Sequence, residues 1–160
     1  MKVIFLDIDG VLNDQMWLHL FMDTEIDKTR VARLAEIVKA TGAVIVLSSS
    51  WRVLPDELDE TDIWVWKQLV DALHEYDMFI YDRTPVISMD RPLEIKTWLD
   101  QHKGQVEAFV SLDDDFRKED YAKHGIEDCL VKISFYCGEH KLGGLQPEHV
   151  KKAIEILGGK

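Results

Sequence analysis

Short apolar runs alternate along this chain with longer segments in which apolar residues recur every three or four positions. The runs at residues 3–6, 43–47, 78–81, 108–112 and 129–133 are four or five residues long, and several are rich in β-branched side chains. Unbroken apolar runs of that length predict strands buried on both faces of a parallel sheet. The segment 27–40 places Val31, Leu34, Ala35 and Val38 on one helical face and stops at Thr41-Gly42, a glycine C-cap signal. Residues 61–76 repeat the pattern with Trp64, Leu69 and Leu73, and 91–102 with Ile95, Trp98 and Leu99. The last helix, 146–157, opens with Pro147 in its first turn and ends at Gly158-Gly159. This alternation predicts an α/β fold: a doubly wound, mainly parallel, Rossmann-like sheet of about five strands with helices on both faces. No internal repeat, low-complexity tract or linker divides residues 1–160, so one domain is expected. About 30 residues separate the first strand from the second, and the helix at 27–40 uses about half of them, which leaves room for little or no cap domain. Within 13–26, Met16, Trp17, Leu18, Leu20, Phe21 and Met22 either form a small flap or join the core.

In sheets of this kind, ligands collect at the carboxyl ends of the strands near a topological switch point. Asp7 and Asp9 follow the first run; strand alternation points both to one side and returns Ile8 to the core. Ser48, Ser49, Ser50, Trp51 and Arg52 follow the second, Asp82 and Arg83 the third, and Asp113, Asp114 and Asp115 the fourth. Carboxylates converging on one cleft repel each other, and a divalent cation relieves that repulsion. Mg²⁺ takes oxygen ligands and shares them with substrate phosphate, so Asp7, Asp113 or Asp114, and a backbone carbonyl near Asp9 would suit it. Neither His/Cys clustering nor H-E-x-x-H spacing supports zinc. Taken alone, Asp113–Asp115 reads equally as a solvated loop. The serine run is either a phosphate cradle of hydroxyls and backbone N–H groups or a Ser-rich turn capping a helix. Arg52 either forks onto a phosphate or pairs with nearby acids.

Charge narrows the partners. The chain carries 30 acidic against 19 basic residues, a formal net charge of −11. Binding to long duplexes through phosphate neutralisation is therefore not expected, whereas a local cationic pocket for one terminal phosphate is compatible with it. Cys129 and Cys137 are too few for a disulfide framework and fall in no metal-type cluster. No apolar run is long enough to span a membrane and the N-terminus has no signal-peptide pattern, so a cytoplasmic protein without membrane partners is expected. Among the five tryptophans, Trp64, Trp66 and Trp98 suit core packing, while Trp17 and Trp51 flank the proposed edge and either pack or stack on a base. The six histidines are scattered, and none is paired with a nucleophile.

Asp7–Leu12 reads D-I-D-G-V-L, and this resembles the first motif of the haloacid dehalogenase (HAD) superfamily of phosphohydrolases. The apolar strand ending in Ser48 resembles its second motif, and Asp113-Asp114 after F-V-S-L its fourth. For the basic third motif, Arg91-Pro92 and Lys96 compete. The order V-L-S-S-S-W-R, R-P-L-E-I-K-T-W-L and S-L-D-D-D is also similar to a cap-poor group, the Swiss Army Knife RNA repair type, many of whose members have Gly where this chain has Pro92. The resemblance implies that Asp7 attacks phosphorus to form an aspartyl-phosphate while Asp9 carries protons. It further implies that Ser48 holds a transferring-phosphoryl oxygen and that Arg91 or Lys96 offsets the charge. Asp7, Asp113 and Asp114, with Asp9, would form the Mg²⁺ site. Ser49 is a second phosphate-binding candidate; Trp51 and Arg52 are substrate-contact candidates, and Asp82, Arg83 and Asp115 are expected to be surface or loop residues. The expected activity is a Mg²⁺-dependent phosphomonoesterase leaning to a nucleotide or nucleic-acid end. A sugar or metabolite phosphatase is the alternative. A phospho-acceptor module without turnover would not need the second acid, Asp9.

Overall fold

The computed structural model describes residues 1–21, 24–56, 59–139 and 142–158; Met22 and Gly159, named above, lie outside them. Five strands form one sheet: β1 (Lys2–Leu6), β2 (Val44–Leu47), β3 (Ile80–Arg83), β4 (Ala108–Asp113) and β5 (Leu130–Lys132). All are parallel and stand in the order β3-β2-β1-β4-β5. The helices are α1 (Gln15–Leu20), α2 (Lys28–Thr41), α3 (Glu60–His74), α4 (Arg91–Gln101), α5 (Lys118–Ala122) and α6 (Pro147–Ile156), with 3₁₀ turns at Ser50–Asp56 and Glu127–Cys129.

Alternation along β1 sorts its side chains into two cores. Ile4 and Leu6 join Val31, Leu34 and Ile37 of α2, Leu69 and Leu73 of α3, and Val150 and Ala153 of α6. Val3 and Phe5 join Ile95 and Trp98 of α4 and Tyr121 of α5 on the opposite face, where Phe5 meets Trp98 edge-on at 5.4 Å. Each such fully buried apolar side chain contributes about 1.5–3 kcal/mol. The chain builds β1, β2 and β3 outward on one face. It then returns through α4 on the other face to lay β4 beside β1. The loops leaving β1 and β4 therefore diverge and open a crevice between them, as a switch point requires.

Helix limits follow local chemistry. Asp27 caps α2 by accepting from the Thr29 amide at 2.8 Å, and Gly42 closes it at φ +68°. The edge strands depart more from the apolar pattern. β3 starts at Ile80 rather than 78 and takes in Asp82 and Arg83, expected as surface or loop residues, because a strand paired on one side needs no apolar run; Tyr81 and Arg83 are exposed there. The β5 strand shortens to Leu130–Lys132 after a 3₁₀ turn.

The segment between β1 and α2 holds Val11 and Leu12 in the core and then one helix, α1, of six residues, none of them buried. Asp14 caps α1 through the Trp17 amide and also meets Arg30 at 3.2 Å. Arg30 reaches Asp27 at 3.3 Å and donates to the Gly143 carbonyl at 3.1 Å, so one buried guanidinium ties α1, α2 and the segment before α6 together. Among the described residues, no helix is long and apolar enough to cross a membrane.

Candidate active site

At the crevice, the Asp7 amide still donates to Leu112 of β4 at 3.1 Å, which fixes its side chain beside the end of that strand. Ile8 turns into the core, and the Val11 and Leu12 amides close a turn on its carbonyl. Gly10 sits at φ +78°, and a Cβ there would lie 2.2 Å from the Asp114 carboxyl carbon. The glycine of D-x-D-G thus permits both the turn and the close approach of Asp114. Carboxylate oxygens of Asp7, Asp113 and Asp114 lie within 4.8 Å of one another.

Arg91, the first residue of α4, inserts its guanidinium into this cluster, 2.5 Å from Asp7 and 3.1 Å from Asp113. The Phe116 ring lies 5.4 Å from that guanidinium carbon. Burial pushes the Asp7 carboxyl up to about 8; Arg91 opposes the rise, and the charges of Asp113 and Asp114 reinforce it. Burial also raises Asp114 to about 6, with Asp113 adding and a hydrogen bond to Asp7 opposing. Asp113 is fully buried and accepts from the Asp115 and Phe116 amides and, at 2.8 Å, from the Tyr121 hydroxyl, itself 2.7 Å from Ser111. A crowded all-oxygen acidic set of this kind fits a hard divalent cation.

Asp9 is held apart from that cluster. One oxygen accepts from the Asn13 amide and the other from the Trp51 indole N–H, both at 3.0 Å. Asn13 also donates to the Glu25 carbonyl and accepts from the Gly10 amide. The Asp9 side chain is thus outside the three-carboxylate group.

The Ser48 amide extends the sheet to Leu6, while its hydroxyl and the Nε of Arg91 are buried and have no partner among the described residues. Ser49 is fully buried in the turn that follows. Arg52 donates to the Ser49 carbonyl at 2.7 Å and to Glu94 at 2.8 Å, with its side chain 5% exposed. Trp51 is 6% exposed and belongs to the core. Of these two substrate-contact candidates, Arg52 is an internal brace, and Trp51 is almost wholly buried but borders a cleft beside Asp9. Lys96 lies about one and a half turns along α4 from Arg91 and pairs with Asp100, so the structure brings Arg91 and not Lys96 to the carboxylates. Trp17 packs against Phe21 at 4.2 Å and donates to the Thr24 carbonyl, and Asp82 accepts from Trp98.

Asn13, Tyr121, Glu94 and Glu25 support this geometry and carry no sequence signal at long range. Only Asn13, three residues after the glycine, has a local one, since Asn favours side-chain bonds to a nearby turn.

The sheet order and the carboxylates gathered at its switch point define a HAD-type phosphatase domain. Residues 3–139 match the family described as the HAD domain in Swiss Army Knife RNA repair proteins, and the chain belongs to that family. The fold is similar to that of the D,D-heptose 1.7-bisphosphate phosphatase from B. bronchiseptica, crystallised with magnesium and phosphate, with a TM-score of 0.60 at 16% identity over 99% of each chain. No curated protein matches the sequence.

Proposed function

We propose that this protein is a Mg²⁺-dependent phosphomonoester phosphatase that works through an aspartyl-phosphate on Asp7 and acts on a nucleotide or nucleic-acid end. The observation that carries this is the convergence of Asp7, Asp113, Asp114 and Arg91 beside the unpartnered Ser48 hydroxyl. A buried hydroxyl without a partner is costly, and a phosphoryl oxygen would satisfy it. Asp7 attacks phosphorus, the bond to the leaving oxygen breaks, and that oxygen takes a proton from Asp9. Water then attacks the phosphorus of the acyl phosphate and gives its proton to Asp9, which releases phosphate and restores Asp7. A carboxylate has about four lone-pair sites. Asn13 and Trp51 occupy two on Asp9, which leaves room for the leaving oxygen and later the water. Arg91 spans Asp7 and Asp113, and the Ser48 hydroxyl orients the transferring group. Mg²⁺, held by Asp7, Asp113, Asp114 and the Asp9 carbonyl, would supply electrostatic stabilisation of the transferring phosphoryl group.

Family membership supports the nucleic-acid side of this reading. A sugar or metabolite monophosphate is the second reading, favoured by the burial of Trp51 and Arg52. A panel of 3′- and 5′-phosphorylated oligonucleotides, mononucleotides and sugar phosphates tests both. Turnover of nucleotides or oligonucleotide ends supports the first; turnover of sugar phosphates alone replaces it with the second.

A further inference from the structure

A cleft of about 320 Å³ opens beside Asp9, bordered by Glu25, Ser50, Trp51, Leu54 and Val65. We propose that this cleft receives the leaving group and that Glu25 selects one that bears hydroxyls and no charge, a single sugar or nucleoside. The inference rests on the phosphatase reading above. It narrows the substrate class.

A leaving oxygen that takes its proton from Asp9 must depart on the Asp9 side, and this is the cleft that shares Asp9 as a wall. Its volume is at the low end of small-ligand sites, about 300–1,000 Å³, and matches one such unit. Trp51, Leu54 and Val65 supply apolar faces, and Ser50 and the two carboxylates supply the polar ones. Among the described residues no Lys or Arg lines it, so a second phosphate placed there would face Asp9 and Glu25 without a counter-charge. Hydroxyls, by contrast, donate to carboxylates.

Glu25 is held in register with Asp9 by a shared partner. Its carbonyl accepts from the same Asn13 amide nitrogen that bonds Asp9, and its amide donates to Gln68 of α3 at 2.9 Å. Burial raises its carboxyl, and the charge of Asp9 adds to the rise, so the two groups share one electrostatic environment.

The test compares kcat/KM for monophosphates and for bisphosphates of the same sugar and the same nucleoside, at saturating Mg²⁺. The wild type is expected to favour the monophosphate by roughly tenfold or more, the scale set by one uncompensated charge contact. The sugar and nucleoside arms distinguish the two sources of the leaving group. Glu25→Gln is expected to lower the preference severalfold and Glu25→Lys to abolish or invert it, each checked for an intact thermal transition. Equal or faster turnover of the bisphosphate by the wild type, which needs no variant to fold, would overturn the proposal. So would faster turnover of an oligonucleotide end than of its mononucleotide, or an unchanged ratio in folded Glu25→Lys. Failure of the phosphatase reading is separate: it shows as no Mg²⁺-dependent release of phosphate from a generic aryl phosphate by the wild type.

Discussion

Asp9 and Trp51 are 42 positions apart, yet the indole N–H and the carboxylate meet at 3.0 Å. Trp51 is the second residue of the turn that follows Ser48 and Ser49, so one side chain couples the proposed proton carrier to the proposed phosphate cradle. Trp51→Phe keeps the ring in the core and deletes only the donor. Steady-state and quench kinetics should then show kcat lowered about tenfold, part of the 10²–10⁴ that a positioned acid–base group supplies. KM should hold and phosphoenzyme should accumulate; a fall in melting temperature with kcat unchanged would reduce Trp51 to packing. Asp7, Ser48, Ser49, Asp113 and Asp114 stand at the carboxyl ends of their strands because each sits one or two positions past an apolar run, and Asp7, Asp113 and Asp114 meet there. Trp51 and Arg52 were legible as neighbours of the site but not in their orientation. What turns them inward is Asp9 and Glu94, each 42 positions distant. Glu25 and Tyr121 gave no local pattern at all.

At the scale of elements, legibility follows burial. The central strands β1, β2 and β4 are covered on both faces and flanked on both sides, so apolar runs mark them within about a residue. The edge strands are paired on one side: β3 is displaced by two residues from its apolar run, and β5 loses one residue at each end. The five-residue α5 buries only Tyr121 and is too short to show a period. The buried Arg30 is equally silent in sequence, yet it joins three elements. Arg30→Ala would strand Asp14 and Asp27 as unpaired buried carboxylates, and an unpaired buried charge costs about 3–5 kcal/mol. Denaturant unfolding should show a loss of that size; a loss under about 1 kcal/mol would mean the pairs are worth no more than surface ones.

Across the whole molecule, function opposes stability where the carboxylates meet. With the Asp7 carboxyl at about 8 in the fold, against 3.8 ordinarily, the native state holds a proton that the unfolded chain has released between those pH values. Stability of the metal-free protein should therefore fall as pH rises through that window, and Asp114, raised to about 6, adds in the same direction over its lower part. Mg²⁺ binding needs the ionised carboxylates, so the metal should raise the melting temperature more at pH 8 than at pH 5. Thermal melts over pH with and without Mg²⁺ check this; a metal-induced shift independent of pH would place the metal elsewhere. The net charge of −11 suits the same picture, in which affinity comes from one local phosphate site and not from long-range attraction to nucleic acid.

The central claim is a covalent phosphoryl group on Asp7 whose removal depends on Asp9. An aryl phosphate with a good leaving group needs no acid to depart, so Asp9→Asn should still be phosphorylated by it but should hydrolyse the intermediate slowly. Acid-quenching that variant after mixing with Mg²⁺ and aryl phosphate, then measuring intact and peptide mass, should find one added phosphoryl group on the peptide containing Asp7. The double variant Asp7→Asn, Asp9→Asn should carry none. No adduct on Asp9→Asn, or an equal adduct once Asp7 is replaced, would contradict the account.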